Sequence, residues 1–189
     1  EVMTYTAFRS AGKPRNEVIG MSGLLNTARY RAFLAEELDV SPRDIQSLII
    51  GGHGDTMVLL NRYTTVSGIP VTELLGEKKL NAIIKRTKRG GGELVNLMGT
   101  SAWYAPGSAV AQMVEAIIMD QKRIMPCCVK LEGEYGLKDL FMGVPVKLGK
   151  NGIEKIIEVS LDEEEQKALN YAATSIRNLM NLLDGLNVL

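Results

Sequence analysis

Histidine occurs once in these 189 residues, cysteine twice, and neither sign of charge is in excess. Each scarcity removes a class of function. The two cysteines, Cys127 and Cys128, are adjacent. Neighbouring residues rarely reach relaxed disulfide geometry, so no disulfide framework is expected and a reducing, cytoplasmic setting is the default. One histidine and that cysteine pair lack the ligand spacings of a metal site, although Asp55 stands near His53, and no metal is expected. Lys plus Arg and Asp plus Glu are 22 each, whereas a dedicated nucleic-acid binder carries a basic excess. No apolar run approaches the ~18 residues of a membrane span. The opening Glu1-Val2-Met3-Thr4-Tyr5 lacks the basic start and apolar stretch of a signal peptide. It also lacks an initiator methionine, so Glu1 reads as a cut end, a processed end or a boundary. No Gly-x-Gly-x-x-Gly, phosphate-loop or serine-elbow pattern occurs.

What is present is globular. Hydrophobic residues are 46% and charged residues 23%, and a chain of this size hides roughly 70% of its unfolded surface. No repeat or Pro/Ser-rich linker interrupts it, so residues 1–189 are expected to form one domain. The pattern predicts a helix over 2–10 ended by Gly12-Lys13-Pro14, a brief strand at Val18-Ile19, and a helix from Gly23 to Leu38. Ser22 would cap that helix, and Leu25, Ala28, Ala32 and Ala35 would be its buried stripe. Ile45 to Ile50 and Met57 to Leu60 read as strands around a glycine-rich loop. A helix from Leu80 would be weakened at Gly90-Gly91-Gly92 and resume to Met98. Another, over 108–122, would bury Val110, Met113, Val114, Ile117 and Ile118. Strands follow at 124–131, 141–148 and 153–159, the last two joined by the hairpin Gly149-Lys150-Asn151-Gly152. The final helix, Asp162 to about Leu183, opens on a capping box with Glu165 and turns Leu169, Ala172, Ile176, Leu179 and Leu183 inward. Mixed order with late hairpins predicts an α+β fold, not a doubly wound parallel sheet.

Two residues stand out for chemistry. His53 lies in Gly51-Gly52-His53-Gly54, directly after a buried strand, where folds place reactive side chains, and an imidazole is the natural proton carrier near neutral pH. The alternative is a loop histidine without a role. Arg29 follows Asn26 by one helical turn and could grip a carboxylate with two parallel hydrogen bonds. The alternative is a solvated arginine. Lys85-Arg86-Thr87-Lys88-Arg89 reads as a solvated helix end.

At this point the residues resemble a family. Gly20-Met21-Ser22-Gly23-Leu24-Leu25-Asn26-Thr27-Ala28-Arg29-Tyr30-Arg31 resembles the substrate helix of the lactate/malate dehydrogenases, and Gly51-Gly52-His53-Gly54-Asp55-Thr56-Met57-Val58 their catalytic-histidine loop. Glu93-Leu94-Val95-Asn96-Leu97 and Ser101-Ala102-Trp103-Tyr104-Ala105-Pro106 resemble the later substrate wall. Phe141-Met142-Gly143-Val144-Pro145-Val146 with its hairpin resembles the late sheet. The resemblance covers essentially the whole chain and is nearest to lactate-dehydrogenase-like malate dehydrogenases.

It implies the C-terminal substrate-binding and catalytic domain, without the Rossmann domain that binds NAD. It assigns His53 as general acid/base between malate and oxaloacetate, and Arg29 as holder of the substrate carboxylate. Met21 and Leu25 would lie near the nicotinamide, and Ser101 would line the substrate pocket. Asn26 departs from the pattern: the family has an aspartate there that hydrogen-bonds the histidine. The resemblance further implies a homo-oligomer, dimer or tetramer, or a separate NAD-domain chain as partner. The competing readings are a non-catalytic remnant that self-associates, which Asn26 favours, and lactate as substrate. Neither a membrane nor a nucleic acid is an expected partner.

Overall fold

The computed structural model describes residues 1–186, so the last three positions of the expected domain lie outside the described residues. In chain order the elements are α1 (Val2–Ala11), β1 (Gly20–Met21), α2 (Leu24–Leu38), β2 (Ile45–Gln46), β3 (Ile49–Gly51), β4 (Met57–Leu59), β5 (Thr65–Val66) and β6 (Ile69–Pro70). Then come α3 (Val71–Leu74), α4 (Glu77–Met98), α5 (Tyr104–Ile118), β7 (Arg123–Glu132), β8 (Lys138–Gly149), β9 (Gly152–Ile156) and α6 (Glu163–Gly185).

The long hairpin β7–β8 is the spine. Its pairing runs from Arg123↔Leu148 to Glu132↔Lys138. Around it the sheet takes the order β1-β7-β8-β3-β4, with β9 also on β8, and β2-β5-β6 form a small second sheet. Every pairing is antiparallel, as the α+β expectation requires. Helices α1 and α6 pack on each other and on the spine, and α2 and α5 do the same. Covered in this way, β7 and β8 bury consecutive residues rather than alternate ones, the pattern of a strand shielded on both faces.

That arrangement decides the fate of the thiols. Burial pushes Cys127 up to about 12 and Cys128 up to about 11, from an ordinary 9.0. At pH 8 the thiolate fraction of Cys128 falls to about a thousandth, so neither cysteine is expected to react with Ellman's reagent until the chain unfolds. The same shifts set an alkaline limit. Both thiols hold their protons more tightly folded than unfolded, so their contribution is complete below about pH 9 and fades as pH climbs toward 11 and 12. Urea midpoints should hold up to about pH 9 and fall from there to pH 11.

Several local expectations are corrected. The first strand sits at Gly20–Met21, two residues later than 18–19, because it pairs with Cys127 and Cys128. Ser22 does not cap α2. Gly23 holds that position, and the Ser22 hydroxyl donates to Glu1 instead, at 2.8 Å. The buried face of α2 is Asn26, Thr27, Tyr30, Leu34 and Ala35, while Ala28 and Ala32 are exposed. Small apolar side chains carry little burial drive, and Tyr30 and Leu34 set the rotation. The strand expected over 45–50 splits into β2 and β3, which serve different sheets.

Glycines 90–92 do not break α4, which runs unbroken for 22 residues. Leu80, Ile83, Thr87 and Gly90 give it one continuous buried face. α5 starts at Tyr104 and ends at Ile118, and it buries Ala109, Met113 and Ala116. Val110, Val114 and Ile118, expected inside, are exposed, as is Leu179 of α6. The β9 strand stops at Ile156. The α6 capping box is present as read: Asp162 accepts from the backbone of Glu164 and Glu165, and Glu165 accepts from the Asp162 backbone.

Candidate active site

A cleft of about 1160 Å³ opens where β1, α2, the loop after β3, α4 and the start of α5 converge. Met21, Leu25, Arg29, His53 and Ser101 all line it. Five of the six residues singled out by the sequence therefore share one cavity, although they come from four separate segments. Asn26 is the sixth. It is buried beside the cleft, not on its wall.

His53 reaches the cleft because β3 ends in a turn that only glycine suits. Gly51 has φ +90, and a side chain there would press into Thr56 O at 2.6 Å. The Gly52 amide donates to Thr56 O at 3.0 Å. The Thr56 hydroxyl donates to the His53 carbonyl at 2.8 Å. These bonds fix the backbone of His53, which is itself extended, and leave its imidazole exposed at the mouth. Lys88 of α4 fastens the loop at the cleft wall, its Nζ donating to Asp55 O at 3.2 Å.

Arg29 is half-buried between α2 and α4, and burial holds its guanidinium below the usual arginine range, with Glu93 working against that shift. Its Nη1 donates to Asn26 Oδ1 at 3.2 Å. The Asn26 amide oxygen, at the position where the resemblance puts an aspartate, thus accepts from the arginine.

Around Arg29 the helices are clamped. Arg86 of α4 pairs with Glu36 of α2 at 3.2 Å and with Glu93 at 3.1 Å. Its guanidinium also lies 4.0 Å over the Phe33 ring. The Arg86 hydrogen bond, aided by the field of Arg29, holds the Glu93 carboxyl below the usual carboxylate range.

The wall contains more cations than the sequence pattern suggests. Lys85, Arg86, Lys88 and Arg89 join Arg29, against only Asp55 and Glu93. The run expected to be a solvated helix end is therefore a wall of the cleft. No local signal marks it; it follows from the packing of α4 against α2. A chain of zero net charge concentrates positive potential here, which favours a small anion. Among the described residues no group of three or more His, Cys, Asp or Glu side chains could hold a metal ion, and no helix is long and apolar enough to cross a membrane.

Comparison with known proteins places this architecture. A profile of the lactate/malate dehydrogenase alpha/beta C-terminal domain matches residues 24–184, and the chain belongs to that family. It is 63% identical to the malate dehydrogenase of Cytophaga hutchinsonii over 186 residues, covering 98% of this chain and 60% of that protein. The structure of malate dehydrogenase from Salinibacter ruber superposes with a TM-score of 0.97 at 56% identity, over 98% of this chain and 61% of that one. Lactate dehydrogenase from Eimeria maxima, solved with NADH and oxamate, gives 0.95 at 37% identity, over 99% and 58%. The chain thus spans about three-fifths of the length of the relatives it matches.

Proposed function

We propose that residues 1–189 are the substrate-binding and catalytic domain of an NAD-dependent malate dehydrogenase of the cytoplasm, working with an NAD-binding domain supplied by polypeptide outside these residues. The observation that carries this reading is the convergence of His53 and Arg29 on one cation-lined cleft. Arg29 grips the substrate carboxylate through paired N–H donors and so orients the reacting carbon. His53 takes the hydroxyl proton when malate is oxidised and returns it when oxaloacetate is reduced. Ser101 lines the substrate side. Met21 and Leu25 give the cleft an apolar wall that suits a nicotinamide ring. NAD, when bound, supplies the hydride acceptor. The positive wall attracts a dicarboxylate, so KM for oxaloacetate should rise with ionic strength. Assembly into a dimer or tetramer, or pairing with a separate NAD-domain chain, belongs to the same reading.

The experiment is direct: the domain joined to its NAD-binding half is assayed for NADH oxidation with oxaloacetate and with pyruvate. Turnover of oxaloacetate in excess is the expected result. Preference for pyruvate would move the reading to lactate dehydrogenase, and turnover of neither would make the domain a non-catalytic remnant.

Asn26 gives a graded test of the same site. A carboxylate stabilises imidazolium, whereas an amide supplies no full charge. Arg29, already bonded to Asn26, would compensate a carboxylate placed there. Asn26→Asp is expected to raise kcat for oxaloacetate reduction about tenfold. Unchanged kcat would show that the amide is no handicap.

A further inference from the structure

Arg29 lies across α4 at the one buried position on that stretch of helix without a side chain. A β-carbon built on Gly90 would sit 2.3 Å from Arg29 Cδ, 2.7 Å from Nε and 3.3 Å from Cζ. Gly91 and Gly92, the next two residues of α4, meet nothing within 4 Å. Glycine is among the poorest helix formers, and Gly90 is a buried residue in the interior of a 22-residue helix. Helix propensity would put alanine there; the arm of Arg29 does not allow it.

The two helices cannot readily spread to admit a methyl group. Arg86 ties α4 to Glu36 and stacks on Phe33 of α2, and Lys79 pairs with Glu37 farther along the same seam. Between a clamped backbone and a flexible side chain, the side chain yields. Displacement of Cδ and Nε carries the guanidinium away from its bond to Asn26 Oδ1 and out of its place in the cleft wall.

We infer that Gly90 is a positioning residue for Arg29: its missing side chain is the slot that holds the guanidinium where a substrate carboxylate meets it. The inference rests on the reading of Arg29 given above, and it deepens that reading by adding a residue from the facing helix that touches no substrate. A displaced guanidinium meets the carboxylate off its paired geometry, and small misplacements of binding groups are costly.

Two readouts on the complete enzyme test it. In kinetics, Gly90→Ala is expected to raise KM for oxaloacetate about tenfold or more, with a smaller fall in kcat. In an Arg29→Ala background, Gly90→Ala should change KM by less than about twofold, since nothing remains to displace. Gly185→Ala, in α6 and away from the cleft, where a β-carbon meets nothing within 4 Å, is the kinetic control and should leave KM unchanged.

In thermal unfolding, Gly91→Ala should raise Tm by about 2–4 °C through helix propensity alone. Gly90→Ala should fall short of that gain, and should recover it once Arg29 is alanine. Should Gly90→Ala fail to fold, rescue by Arg29→Ala supports the inference and absence of rescue overturns it. A wild-type KM in Gly90→Ala, beside a raised KM in Arg29→Ala, overturns the role of Gly90 and leaves the function standing. An unchanged KM in Arg29→Ala itself overturns the reading of the arginine, whatever the thermal coupling between the two positions.

Discussion

Substituting His53 by glutamine, with the NAD-binding half present, is expected to cut kcat/KM for oxaloacetate reduction by about 10²–10⁴-fold while KM moves little. Glutamine keeps much of the polar shape of imidazole but cannot carry a proton to the developing alkoxide. No other imidazole exists in the chain to take over. The other titratable groups on the wall suit the task poorly. Glu93 is held as a carboxylate by Arg86. Asp55 sits two residues away on the same exposed turn, so Asp55→Asn is the natural comparison. A loss confined to His53→Gln fits general acid/base catalysis at the imidazole. Equal losses from both would point to the loop's conformation instead.

The second large effect is expected at Arg29. Arg29→Ala should lower kcat/KM about 10³-fold, with KM carrying much of the loss. Truncating one partner of a desolvated, hydrogen-bonded charge pair costs about 2–5 kcal/mol, and Arg29 is half-buried enough for burial to depress its pKa. Arg29→Lys should recover only part, because an ammonium keeps the charge but lacks the planar fork. Steady-state kinetics of the three proteins side by side checks this. If lysine restores wild-type KM, charge alone suffices and the two-pronged geometry is not needed.

These expectations rest on residues that are legible in the sequence to different degrees. The histidine turn can be read locally, because glycines at 51, 52 and 54 around a single imidazole mark a tight loop after an apolar strand. The structure adds that Gly51 must be glycine on both conformational and steric grounds. Spacing marks Arg29 only as a candidate one turn after Asn26, and its role comes from the resemblance, since one arginine on a helix has no local signature.

Periodicity misplaces a helix's rotation where the stripe is built from small residues. Ala28 and Ala32 look inward by spacing, but Tyr30 and Leu34 bury far more surface and turn the helix their way. The exposed stripe Val110, Val114 and Ile118 is misleading for a related reason: periodicity marks an apolar face without saying what covers it. The cationic wall is hidden because a run of charges on a helix reads as solvated, and the glycines 90–92 after it look like a break. A helix stabilised by packing on α2 tolerates them, and its tertiary packing, which no local pattern shows, brings Lys85, Lys88 and Arg89 to the cleft. The late antiparallel strands and the α6 capping box, by contrast, follow from apolar runs, a turn-forming hairpin between β8 and β9 and local hydrogen-bonding chemistry.

The proposed function stands or falls on whether one imidazole and one guanidinium address the same small anion. A single histidine makes this measurable without assignment ambiguity: the ring carbon-bound proton signals of His53 are followed by NMR in the 189-residue chain as malate is added. A saturable shift in the native chain, absent in Arg29→Ala, is the expected outcome. Ring signals indifferent to malate, or a shift that persists unchanged without the arginine, would refute it.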